Sequence, residues 1–191
     1  MHPRRSKRYL ALIILLATPA AAAGPPAAPP EPGWLVRGSR PQDYAMGFDK
    51  QTLHAGKPTA YIRSIVEETP GFGTFMRKID AEPYRGQRVR LSTDIRTEAL
   101  SARASLWMRV DGPNHPLAFD NMDDRPITGT TGWIHYECVL DVAPAATRIA
   151  FGVSLAERGR VQFGSLTLEV VDRSVPVTDL LPTMPERYRG R

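Results

Sequence analysis

Cysteine is nearly missing: Cys138 is the single one in 191 residues, so no disulfide can form within the chain even where the compartment would permit one. Stability must then come from a hydrophobic core. Apolar residues at helical spacing are almost absent, and no apolar run reaches the roughly 20 residues that a membrane-spanning helix needs. Net charge is also scarce once the N-terminus is set aside. The whole chain carries 25 Lys+Arg against 20 Asp+Glu, a formal +5. Four of the basic residues are Arg4, Arg5, Lys7 and Arg8, and without them the balance is 21 against 20. The pI of 9.7 therefore mostly describes the first few residues, and nucleic-acid binding by a basic surface loses its main support. The end Glu186–Arg191 holds three arginines and one glutamate, a local basic spot that a solvated terminus explains.

What is present first is an export signal. The basic cluster leads into the apolar run Tyr9 to Ala17 and then into the alanines Ala20 to Ala23, the layout of a cleaved signal peptide. Cleavage is expected near Ala22 or Ala23, with a retained signal anchor as the alternative. No cysteine stands there to accept a lipid. The expectation is a periplasmic or secreted protein with no stable membrane span after cleavage. Cleavage after Ala23 leaves 168 of the 191 residues, enough for one domain burying about 70% of its unfolded surface. The expected layout is signal peptide 1–23, a proline-rich linker 24–33 suited to extended polyproline II, one domain 34–172, and a tail 173–191 that drapes on the domain.

Between linker and tail, apolar and polar residues alternate with period 2 in segments bounded by Gly, Pro, Asn and Asp. In Gln87–Arg96, Val89, Leu91, Thr93 and Ile95 share one face and Arg88, Arg90, Ser92, Asp94 and Arg96 the other. In Trp133–Val142, Ile134, Tyr136, Cys138, Leu140 and Val142 face His135, Glu137 and Asp141. Further strands are expected over 59–67, 73–81, 104–111, 117–121, 148–155 and 162–171. Strands at this spacing, each with one wet face, imply an all-β fold, an antiparallel sandwich or jelly roll, with a closed barrel as the alternative.

The segments GSRPQDYAMGFD (38–49), AGKPTAYIRS (55–64), GFGTFMRKIDAEPYRGQRVRLS (71–92), SLWMRVDGP (105–113), LAFDNMDDRPITGTTGW (117–133) and IAFGVSLAERGRVQFGSLTLEVVD (149–172) carry a resemblance over about Trp34–Asp172. The chain resembles a bacterial β-sandwich family of unassigned biochemical role, galactose-binding-like and carbohydrate-binding-module-like in architecture. The resemblance implies relatives attached to AraC-type DNA-binding regions. Here a signal peptide stands where a helix-turn-helix would, so the regulator role is not expected to carry over. Family members tend to have an aromatic followed by acidic residues before the final strand. This chain has Val161, Gln162, Phe163, Gly164 and Ser165 instead.

Alternation in 105–111 puts Leu106, Met108 and Val110 on one face and Trp107, Arg109 and Asp111 on the other. An aromatic, a cation and an acid on the outer face suit a sugar ring. The parallel strand 149–155 turns the small residues Ala150, Gly152 and Ser154 to the same side, leaving room for a groove beside Trp107. Tyr61, Arg63 and Arg77 are expected to line the same surface if their strands are neighbours. The competing reading buries Trp107 under a loop or tail.

In the loop 120–125, Asp120, Asp123 and Asp124 offer hard oxygen ligands of the kind a structural calcium takes, although Asx-turn capping accounts for them without metal. Asp111, Asp120, Asp123 and Glu137 are candidate acid/base carboxylates, yet nothing fixes a pair at catalytic separation. His54, His115 and His135 are too dispersed for a zinc motif, and no Gly-x-Ser-x-Gly elbow or glycine-rich phosphate cradle occurs. Cys138, on the apolar face, reads as a small core hydrophobe. The expected function is an exported, non-catalytic module binding a carbohydrate or another small polar ligand. A structural or interaction domain with an envelope protein partner comes second, and a glycosidase-like enzyme third.

Overall fold

The structure, a computed structural model, describes residues 32–185. The expected signal peptide, most of the proline-rich linker and the basic end 186–191 lie outside the described residues. Ten strands form one curled antiparallel sheet: β1 (Trp34–Gly38), β2 (Tyr44–His54), β3 (Lys57–Ser64), β4 (Phe72–Asp80), β5 (Arg88–Asp111), β6 (Pro116–Asp120), β7 (Ile127–Asp141), β8 (Arg148–Ala156), β9 (Arg160–Phe163) and β10 (Thr167–Val171). No described helix is long and apolar enough to cross a membrane.

β5 organises the molecule. At 24 residues it would run about 80 Å if straight, and it bends instead. Register shifts between Ile95 and Ala104, together with the left-handed Ala99 at φ 50°, mark the bend. Its N-terminal half pairs with β7, β9 and β10, and through β9 joins β3 and β2. Its C-terminal half pairs with β8 and β6, and through β8 joins β4 and β1. Two leaves thus share one strand, which sequence periodicity divides in two because residues 97–103 show no clear alternation.

The two leaves close on the residues assigned to the core. Val89, Leu91 and Ile95 from one leaf and Leu106, Met108, Val110, Val153 and Leu155 from the other are completely buried. Cys138 is buried among them, and that burial, with the nearby Asp120 charge, pushes its thiol well above the usual range, as suits a core hydrophobe rather than a nucleophile. Ile134 departs from its expected row: β7 is an edge strand paired with β5 alone, and Ile134 remains 46% exposed.

The tail packs as a strap. Thr178 exchanges backbone and side-chain hydrogen bonds with Val139, and Leu180 N donates to Phe119 O at 2.8 Å. Arg88 anchors the start of the tail. It pairs with Asp141 across the sheet and donates to the carbonyls of Arg173 and Val175 at 2.7 Å each.

Candidate ligand-binding groove

The outer face of the β1-β4-β8-β5-β6 leaf carries a groove of about 480 Å³. Strand register explains its shape row by row. Trp107, Gly152 and Met76 stand side by side on β5, β8 and β4. A Cβ on Gly152 would lie 2.4 Å from the Phe75 carbonyl oxygen, so β8 fits against β4 here only with glycine. The indole of Trp107 reaches across this bare strand and donates from Nε1 to Thr74 Oγ1 at 2.8 Å; Thr74 donates in turn to Val153 O at 2.8 Å. The next row is hydroxylic: Thr74, Ser154 and Ser105, with the two serine Oγ atoms 2.7 Å apart. The row on the other side places Lys78 and Arg109 either side of Ala150. Phe72 and Phe119 wall the groove, and Arg37 and Arg103 also border it.

Sequence reasoning and structure meet at Trp107 and Arg109, which both line the groove, and at Ser154. Asp111 stands behind rather than inside, holding the Arg109 guanidinium at 2.6 and 3.2 Å. Strand β8 runs antiparallel to β5, not parallel; of its expected small residues Ser154 lines the groove, while Ala150 and Gly152 share its face but are buried. Tyr61 and Arg63 do not join them. Both lie on β3, which pairs with β2 and β9 in the opposite leaf. Arg77 is on β4 but on its other side, where it sits 5.9 Å over the Trp34 ring, because period-2 alternation sends 77 opposite to 76 and 78. Alternation within β4 would have grouped Phe72, Thr74, Met76 and Lys78; only the strand order shows that this group faces Trp107.

Each carboxylate of the 120–125 loop that was expected as an oxygen ligand is engaged by an arginine. Asp120 ends β6 opposite Met108, on the core side, and is fully buried. It accepts from Arg125 Nη2 at 2.5 Å, Thr178 Oγ1 at 2.5 Å and the Met122 amide at 2.8 Å. Asp124 pairs with Arg125 at 2.8 Å and Asp123 with Arg103. Among the described residues no group of three or more His, Cys, Asp or Glu gathers as a metal cage. Glu137, the fourth candidate carboxylate, is 3.6 Å from Arg90 in the other leaf.

With the groove in view, the comparisons with known proteins narrow the architecture. No family model matches the chain. The xylan-binding domain of carbohydrate-binding module family 22 superposes with a TM-score of 0.50 over 73% of this chain and 87% of its own, at 16% identity. A xylan-binding domain of that family from Paenibacillus barcinonensis Xyn10C gives 0.51 over 73% and 86%, at 14%. The fold is the β-sandwich of carbohydrate-binding modules. In sequence, the chain is 45% identical over 150 residues to the uncharacterized HTH-type transcriptional regulator YbfP of Bacillus subtilis (strain 168), 78% of this chain and 51% of that one. The chain therefore spans about half the length of that relative, which agrees with the expectation that such domains occur in regulators.

The other leaf offers a second aromatic, Trp133, but its ring is already engaged. His54 stacks on it at 4.1 Å between centroids and Arg96 lies 5.1 Å over it. His54 and His135 both hold Asp94, at 2.6 and 2.8 Å. These hydrogen bonds, His54 first and His135 second, draw the Asp94 carboxyl below its ordinary value of 3.8. A carboxylate depressed in the folded state contributes stability that is present above its unfolded pKa and is lost as pH falls through the folded one. Thermal melts from pH 7 to pH 2 should therefore show a shallower acid decline for Asp94→Asn than for the wild type, with the two curves converging below pH 3.8. Parallel curves would mean that Asp94 contributes no proton linkage.

Proposed function

We propose that this protein is an exported, non-catalytic carbohydrate-binding module that takes its ligand in the Trp107 groove. The observation that carries the reading is Trp107 itself. It is a partly exposed indole lying across the small residues of β8, with hydroxyls in the neighbouring row and no aromatic or cationic group on its ring among the described residues. Apolar stacking surface with a few convergent polar groups is what a saccharide site requires. A non-catalytic role is supported by the lining: a glycosidase needs two carboxyl groups astride the scissile bond, and no Asp or Glu lines the groove among the described residues. Export is supported by the basic, apolar and small-residue order of residues 1–23.

Native affinity electrophoresis through gels containing soluble polysaccharides tests the proposal. Wild type should be retarded by at least one, and Trp107→Ala should weaken retention more than tenfold, as expected for loss of a central aromatic contact, while keeping a wild-type far-ultraviolet spectrum. Retention by no polysaccharide, or unchanged retention of a folded Trp107→Ala, would defeat it and bring forward the interaction-domain reading.

A further inference from the structure

The described body is electrically balanced. Removing the seven basic and two acidic residues outside 32–185 from totals of 25 and 20 leaves 18 of each. Against that even background the groove is one-signed: Arg37, Lys78, Arg103 and Arg109 border it and no acid does. Two of these cations are neutralised from behind, Arg109 by Asp111 and Arg103 by Asp123. The other two are not. The Lys78 ammonium makes no hydrogen bond or ion pair among the described residues, and the Arg37 guanidinium uses only Nη1, on the adjacent Val36 carbonyl at 2.7 Å.

Their placement matters as much as their number. Lys78 and Arg109 share one cross-strand row, two residues along each strand from the row of Trp107. Arg37 stands opposite Thr74, at the end of the hydroxyl row on the other side of Trp107. The stacking platform is thus bracketed by charge, with rows about 7 Å apart along the strands. A pyranose lying on the indole would place its own or its neighbours' equatorial substituents within reach of these cations. A hydroxyl oxygen accepts from an ammonium through a bond ionised on one side only, whereas a carboxylate is ionised too and adds the attraction of opposite charges. Lys78 and Arg37 are exposed and carry no carboxylate partner of their own, so an acid group on a bound sugar can pair with either without displacing an existing ion pair.

We infer that the groove selects acidic saccharides, chains bearing uronic-acid carboxylates, over neutral ones, with Lys78 and Arg37 as the residues that discriminate. This rests on the carbohydrate reading above and gives it a ligand class. Trp107 supplies stacking common to all sugars, and the cations supply the preference.

The test measures retention by polygalacturonate, alginate and glucuronic-acid-bearing xylan, each beside its carboxyl-reduced counterpart, which keeps the backbone and loses the charge. Polyglutamate serves as a polyanion without sugar. Three proteins are compared: wild type, Lys78→Gln/Arg37→Gln, and Lys50→Gln/Arg63→Gln, which removes equal charge from the opposite leaf. The expected result is at least tenfold stronger retention by one acidic polymer than by its reduced form. Lys78→Gln/Arg37→Gln abolishes that difference, Lys50→Gln/Arg63→Gln leaves it intact, and polyglutamate is not retained. Equal retention by acidic and reduced forms, or preference for a neutral polymer, overturns the acidic selectivity and leaves the carbohydrate reading standing. Retention by polyglutamate that survives Trp107→Ala overturns it as well, by showing a charged surface with no sugar site. Retention by none of the polymers, acidic, reduced or neutral, overturns both.

Discussion

Replacing Arg125 by methionine is expected to destabilise the protein by about 3–5 kcal/mol, the usual cost of leaving a buried charge without its partner. Asp120 has no solvent exposure, and Arg125 donates to it from both terminal nitrogens, Nη2 at 2.5 Å and Nη1 at 3.2 Å. Burial by itself works against the charge on Arg125, but the Asp120 hydrogen bonds and charge outweigh it and hold the guanidinium above its ordinary value. Methionine keeps the aliphatic packing and removes the guanidinium with its charge and its hydrogen bonds. The same carboxylate accepts from Thr178, so the strap of the tail should loosen along with the β6–β7 corner. Urea denaturation checks the magnitude through the shift in midpoint at unchanged slope. The double variant Asp120→Asn/Arg125→Met separates causes: it removes the orphaned charge and should recover more than half of the loss. Equal destabilisation in single and double variants would mean that packing, not charge, is what Arg125 contributes.

Phe75→Ala should cost a similar amount, about 3–5 kcal/mol, as expected for deleting a fully buried phenyl ring and leaving its cavity. Phe75 has no exposed surface. It stacks on Trp34 at 4.5 Å between ring centroids and meets Phe48 at 5.6 Å and Phe163 at 6.4 Å edge to face. These rings come from β1, β2, β4 and β9, so one side chain joins strands of both leaves. Such aromatic pairs contribute beyond their area. The emission of Trp34 should shift to the red in the folded variant as its stacking partner disappears. Phe75→Leu, which retains most of the volume, should lose less than half as much. A cost under about 1 kcal/mol for Phe75→Ala would show that the cluster collapses around the missing ring.

The degree to which each element was legible in the chain follows from how local its determinants are. Val89, Leu91, Thr93 and Ile95 proclaim a core face because alternation is a property of neighbouring residues, and all four are buried. β1 and β2 were not foreseen. Trp34–Gly38 is too short to display a period, and β2 loses its alternation where the register slips between Asp49 and Leu53. The 120–125 loop read as oxygen ligands because acids crowd there in sequence, but whether Asp120 turns inward depends on which face of β6 meets the core, and Thr178 arrives from 58 residues away.

The groove divides along the same line. That Trp107 and Arg109 share an outer face, and that Ala150, Gly152 and Ser154 share one, follows from pleat geometry and was determined by the sequence alone. That β8 lies between β5 and β4, bringing Thr74 to the indole and Lys78 across from Arg109, was decided only by the tertiary structure. So was the exclusion of Arg77, Tyr61 and Arg63 from that face. The physical reason is that side-chain direction repeats every two residues within a strand, whereas strand order is set by which faces pack most apolar surface together over the whole chain.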